Sequence, residues 1–145
     1  MICLDANVFV SAARPEEVNF STSVRLLARF RAENVPLCSS VLLLAEVAGA
    51  VARRTGNVAA GFDLARALQR FPNLTFLALD EALATQASHI AATLRLRGAD
   101  AVYVATAERA GATLVTWDSE VVARAWGVGG VVRVETPAGW LASAA

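Results

Sequence analysis

The sequence contains no lysine, and all thirteen of its basic residues are arginine. That absence removes mechanisms built on a lysine amine. A P-loop NTPase is excluded, because both the lysine and its Gly-rich phosphate loop are missing. A phosphoryl-accepting receiver, which needs a lysine beside its aspartate, is excluded too. One histidine and two cysteines, Cys3 and Cys38, are too few for a structural zinc site. Each cysteine lies in an apolar stretch that reads as a strand, so buried free thiols are expected in preference to a disulfide.

Long hydrophobic runs are missing as well, although hydrophobic residues make up 56% of the chain and mean hydropathy is +0.48. Runs such as Val41 to Ala45 and Ala101 to Ala107 fall far short of the ~20 residues of a membrane-spanning helix. The apolar excess is instead expected to fill a buried sheet, packed helices and an interface. No basic segment opens the N-terminus, where an acid stands at position 5, so no signal peptide is expected and the cytoplasm is the expected compartment. Net charge is absent too: thirteen acids balance the thirteen arginines, so total charge carries no nucleic-acid signal. An arginine-only set suits bidentate phosphate contacts, but genomic base composition explains it more simply.

What is present alternates. Met1 to Leu4 reads as a strand, and Asp5-Ala6-Asn7 as a helix start. Glu16 to Ala32 has helical spacing, and Leu37-Cys38 is a short strand ending at Ser39-Ser40. Those serines are suitable caps for a helix from Val41 to Arg54, closed by Gly56. A helix from Val58 to Arg70, a strand from Leu74 to Leu79 and a helix capped by Asp80 and reaching Arg97 follow. Then come a helix from Asp100 to Ala110, a strand from Thr113 to Trp117, a helix from Asp118 to Trp126 and a strand from Val131 to Val134. Thr136-Pro137 opens a last helical turn. Apolar strands alternating with helices predict an α/β/α three-layer sandwich around a mostly parallel five-stranded sheet, in one domain over residues 1–145.

Open parallel sheets bind ligands beyond the carboxyl ends of their strands. Asp5 and Asp118 follow strands, Asp100 opens a helix that starts near the same edge, and Glu46 lies in the helix after the second strand. Each aspartate also has a plain reading as a helix cap. Glu46 does not, because it sits in Leu42-Leu43-Leu44-Ala45-Glu46-Val47-Ala48 with no basic residue three or four positions away. A carboxylate on so apolar a helix is costly unless paired, protonated or metal-bound. Clustered carboxylates would raise one another's pKa, and Mg²⁺ or Mn²⁺ would relieve the repulsion. Phosphodiester hydrolysis is the chemistry such a site serves.

Taken together, these stretches resemble the PIN-domain family, and within it the VapC-type toxins. The resemblance runs over essentially the whole chain. It begins at Ile2-Cys3-Leu4-Asp5-Ala6-Asn7 and continues through Ser40 to Glu46. Its most specific part is Leu96-Arg97-Gly98-Ala99-Asp100-Ala101 followed by Ala105-Thr106-Ala107, and it closes with Leu114-Val115-Thr116-Trp117-Asp118 and Thr136-Pro137. The resemblance implies a metal-dependent endoribonuclease, with Asp5, Glu46, Asp100 and Asp118 as catalytic metal ligands and Asn7 and Thr116 supporting them by hydrogen bonds. It further implies Mg²⁺ or Mn²⁺ as cofactor, RNA as substrate, a homodimer and a cognate antitoxin. No catalytic position departs from the pattern.

Other residues carry less. His89 falls off the core line Leu83, Ala87, Ile90 and Leu94, and is expected to face solvent. Arg14, Arg53 and Arg97 suit RNA phosphate, yet a solvated helix end explains each equally. Phe20, Phe30, Phe62 and Phe71 fit core or interface better than base stacking. A groove formed by residues 18–30 and 58–70 is a candidate surface for a dimer or antitoxin. A haloacid-dehalogenase-type phosphatase would need Asp-x-Asp after the first strand, and position 7 is asparagine. A nuclease of RNA processing or structured DNA outside any toxin pair, and a binding module without catalysis, remain as alternatives.

Overall fold

The computed structural model describes residues 1–125 and 133–144. Its strands are β1 (Ile2–Leu4), β2 (Leu37–Ser40), β3 (Leu74–Leu77), β4 (Thr113–Val115) and β5 (Val134–Glu135). They form one sheet in the order β3-β2-β1-β4-β5, and every neighbouring pair is parallel. The helices among the described residues are α1 (Ala6–Ala12), α2 (Phe20–Ala32), α3 (Leu42–Thr55), α4 (Val58–Leu68), α5 (Glu81–Leu94), α6 (Gly98–Ala110), α7 (Ser119–Ala125) and α8 (Pro137–Ser143). The expected α/β fold is therefore present, with a sheet that is parallel throughout.

The chain steps outward from β1 to β2 to β3, then crosses back to β4 on the other side of β1. Right-handed crossovers place α1–α4 on one face of the sheet and α5–α6 on the other. The packing agrees: α3 lies against α4 and α1, while α5 lies against α6, which covers β1, β2 and β4. Strand order reverses between β1 and β4, so the crevice at their carboxyl ends is the natural ligand site. The central strands are sheathed on both faces, and every residue of β1 and β2 is buried.

Several boundaries differ from expectation. Ser39 and Ser40 belong to β2, because the ladder with β3 runs on to the Ser40–Leu77 pair. Buried there, Ser39 Oγ donates to the Leu4 carbonyl (2.7 Å), while Ser40 Oγ accepts from the Leu42 amide (3.2 Å). The helix expected from Glu16 begins only at Phe20, and Arg14 pairs with Glu16 and Glu17 in the preceding turn. The helix expected to reach Arg97 stops at Leu94. There Arg95 turns left-handed (φ 55°), and the amide of buried Leu96 donates to the Ala91 carbonyl, closing the helix end. That early stop frees Gly98 to begin α6, two residues before the expected start at Asp100. The last strand is Val134–Glu135; residues 131 and 132 of the expected strand, and Trp126, lie outside the described residues. No helix among the described residues is long and apolar enough to cross a membrane.

The α3–α4 pair depends on one glycine. A Cβ at Gly61 would lie 2.4 Å from the Ala48 carbonyl oxygen, so the helices touch backbone to backbone. Gly61→Ala is expected to destabilise the protein by about 1–3 kcal/mol, as overpacking does. Urea unfolding would show a lower midpoint at constant m value, and an unchanged midpoint would refute this close packing.

Candidate active site

Asp5 stands where β1 passes into α1, at the N-cap of that helix, and is only 6% exposed. Its Oδ1 accepts from the Asn7 backbone amide (3.2 Å); its Oδ2 accepts from Thr116 Oγ1 (2.6 Å) and Asn7 Nδ2 (2.9 Å). Asn7 Oδ1 accepts from the Trp117 backbone amide (3.0 Å), which sets the orientation of the Asn7 side chain. Thr116 Oγ1 in turn accepts from Asn7 Nδ2 (2.9 Å) and the Asp118 amide (3.0 Å). The ends of β1 and β4 are thus locked together around one carboxylate. Burial pushes the Asp5 carboxyl up to about 6, against the hydrogen bonds of Thr116 and Asn7, and the charges of Glu46 and Asp100 push the same way. No basic side chain pairs with Asp5 among the described residues.

Glu46 is the fifth residue of α3, half-buried, and it is not unpartnered. The Tyr103 hydroxyl of α6 donates to its Oε2. That contact supplies the pairing that the sequence around Glu46 lacks, so its position does not by itself require a cation. The helix is also less uniformly buried than its sequence implies, since Ala45 is exposed and Leu42 and Leu44 are half-buried. Tyr103 itself is 1% exposed, and burial followed by the Glu46 charge drives its hydroxyl far above the usual range. It remains a neutral donor at any ordinary pH. Sequence reasoning missed Tyr103; the available signals were that it is the chain's one tyrosine and lies three residues after Asp100, on the same helical face.

Asp100 and Asp118 share a third partner. Arg97 Nε donates to Asp100 Oδ2 (3.0 Å), and its Nη2 donates to Asp118 Oδ2 (2.9 Å). Asp100 is no cap: Arg97 holds the N-cap position of α6 and Asp100 lies within its first turn. Burial raises the Asp100 carboxyl above its ordinary value, against the Arg97 hydrogen bond and charge, with Asp118 adding to the rise. Asp118 does serve as a cap, because its Oδ1 accepts from the Glu120 (2.8 Å) and Val121 (3.1 Å) amides at the start of α7.

All four acids line one cavity of about 690 Å³ at the carboxyl edge of the sheet. They share it without crowding: among the described residues, no three acid, cysteine or histidine side chains gather as a ready metal cage. The Arg97 guanidinium instead lies between two of them. The donor set still fits a hard divalent cation, being all oxygen, with a buried acid that lacks a basic partner and a second pair of acids already spanned by positive charge.

Elsewhere, His89 is exposed, with Leu83, Ala87 and Ile90 buried on the other side of α5. Phe30 is buried edge-on to Trp140 of α8 (4.6 Å between centroids), and Phe71 packs edge-on to Phe9 (5.8 Å). The apolar groove expected from residues 18–30 and 58–70 is met in part, by Phe62, Ala65, Arg66 and Gln69 of the second segment. A 440 Å³ groove lies between α3 and α4, lined by Leu44, Ala48, Phe62 and Ala65, with no contribution from residues 18–30.

The family model described as PIN domain matches residues 2–126. The fold is similar to that of Mycobacterium tuberculosis VapC20, a sarcin-ricin loop cleaving toxin, with TM-score 0.73 and 18% identity over 93% of this chain and 99% of that one. It is also similar to FitAcB from Neisseria gonorrhoeae, with TM-score 0.67 and 27% identity over 94% of this chain and 98% of that one. VapBC2 from Rickettsia felis, solved with a DNA fragment from its promoter, gives TM-score 0.66 and 18% identity over 94% and 98%. No curated protein sequence matches the chain significantly.

Proposed function

The chain belongs to the PIN-domain family, and on that premise we propose that it is a metal-dependent endoribonuclease, the toxin of a toxin–antitoxin pair. One observation carries the reading: Asp5, Glu46, Asp100 and Asp118, from four distant parts of the chain, open onto one cavity where strand order reverses. In this reading those four residues hold Mg²⁺ or Mn²⁺. The ion's chemistry would be to lower the pKa of an attacking water and to stabilise negative charge on the phosphate. The protein's own part is positional. Asn7 and Thr116 hold Asp5 in one orientation, and Tyr103 fixes Glu46. Arg97 neutralises Asp100 and Asp118 until a divalent ion competes for them.

The toxin assignment draws on the neighbours: VapC20 is a cleaving toxin, and the VapBC complexes join a toxin to its antitoxin. A cognate antitoxin and a homodimer belong to the same proposal, and the groove between α3 and α4 is an available partner surface. The decisive experiment is cleavage of a structured RNA by the purified protein. Cleavage is expected with Mg²⁺ or Mn²⁺ and is expected to stop with EDTA. Cleavage that survives EDTA would overturn the metal-site reading.

A further inference from the structure

Three arginines line the cavity that holds the four acids, and they are not equivalent. Arg97 is committed to Asp100 and Asp118, and Arg54 to Glu17 (2.7 Å). Arg53 alone of the three has no carboxylate partner among the described residues. Its place in the last turn of α3 invites a plain reading, favourable interaction with the helix C-terminus. The side chain does otherwise. Its guanidinium folds back over Gly49, where a Cβ would stand 3.0 Å from Nη1. It therefore points away from the last carbonyls and toward Glu46.

Glu46, Ala50 and Arg53 follow the i, i+4, i+7 spacing of one helical face, and all three line the cavity. The seat over Gly49 lies three residues beyond Glu46, about 5 Å along the axis. A cation held there stands beside the acids without neutralising them. We propose that Arg53, seated over Gly49, is a substrate-positioning residue that binds a phosphate flanking the scissile bond of single-stranded RNA. This rests on the nuclease reading of the same cavity. The guanidinium has no ion-pair partner among the described residues, is exposed and can bind phosphate with two parallel hydrogen bonds. The missing side chain at position 49 leaves room for it.

The test measures binding and cleavage separately. Fluorescence anisotropy with a labelled single-stranded RNA, in Ca²⁺ without turnover, is taken over a range of salt. R53A is expected to weaken binding roughly tenfold, as loss of a charged hydrogen bond does. Its log–log salt slope should fall by about 0.7, the value for one phosphate of a single strand. In cleavage KM should rise while kcat holds, and R53K should recover the salt slope. G49A gives a second reading, since it keeps the charge and favours the helix but crowds the guanidinium at 3.0 Å; it should weaken binding less than R53A does. A wild-type protein that binds and cleaves RNA, with R53A matching it in affinity and slope, overturns the role of Arg53 and leaves the nuclease reading standing. A wild-type protein that neither binds nor cleaves RNA overturns both.

Discussion

Asp5→Asn is expected to abolish cleavage and, in the metal-free protein, to raise stability. The two effects share one cause. In the proposed reading Asp5 is a buried carboxylate that receives a cation, and burial has moved its pKa from 3.8 to about 6. Losing a ligand that helps place an ion worth several kcal/mol in the transition state predicts a fall in rate of roughly a thousandfold. Without metal, the same charge is a liability. The folded pKa lies above the unfolded one, so the folded protein binds more protons between pH 3.8 and about 6. Across that window the Asp5 contribution to stability declines as pH rises, reaching a deficit of about 3 kcal/mol above it.

Asparagine removes the deficit but turns an amide group toward one of Asp5's donors, which returns about 1 kcal/mol of it. The variant should therefore exceed wild type by about 2 kcal/mol at pH 7.5 in EDTA. The advantage should vanish near pH 4. Urea melts of both proteins at the two pH values check it. A variant that is less stable than wild type at pH 7.5, or equally offset at both pH values, would show that Asp5 is a structural cap and not a strained ligand.

Tyr103→Ala should produce the largest loss of stability. Tyr103 is the largest fully buried side chain among the described residues, packed where α6 crosses the sheet, and truncation of such a ring costs about 3–5 kcal/mol. Tyr103→Phe separates that packing from the site. It keeps the ring and deletes only the donor to Glu46 Oε2, so its melting midpoint should fall by about 1 kcal/mol or less. Glu46 then loses the contact that orients it. Mn²⁺ affinity and cleavage should drop about 10–100-fold, as for other residues that orient metal ligands. Isothermal titration with Mn²⁺ reads this without relying on turnover. Wild-type affinity in the phenylalanine variant would mean that the hydroxyl serves packing alone.

The alternation of apolar strands and helices was legible along the chain, and with it the parallel sheet, because both rest on short-range periodicity. Local end signals were legible for the same reason. Asp80 accepts from the Leu83 amide at the start of α5, Gly56 and Gly111 end their helices left-handed, and Thr136 caps α8. The four acids could be named from their order and from the edge each element reaches. Their surroundings could not. Tyr103 meets Glu46 across 57 positions, and Arg97 meets Asp118 across 21. Such contacts depend on strand order and on the rotation of each helix against the sheet, which neighbouring residues do not encode.

That limit explains the one physical argument that changed. From sequence, Glu46 has no charged partner one turn away and so stands as paired elsewhere, protonated or metal-bound; in three dimensions a tyrosine from another helix reaches it. Asp5 now bears the weight that Glu46 was given, as a buried carboxylate with no basic partner among the described residues. By itself the sequence determined the family and the layers, and it named four acids that the structure brings to one cavity. Only the tertiary structure decided that β1 lies between β2 and β4, which brings Asp5 beside Thr116, and that Arg97 bridges Asp100 and Asp118. The physical reason is range: periodicity and capping act within a few residues, whereas the electrostatics of the cavity arise from side chains that only the assembled sheet brings together.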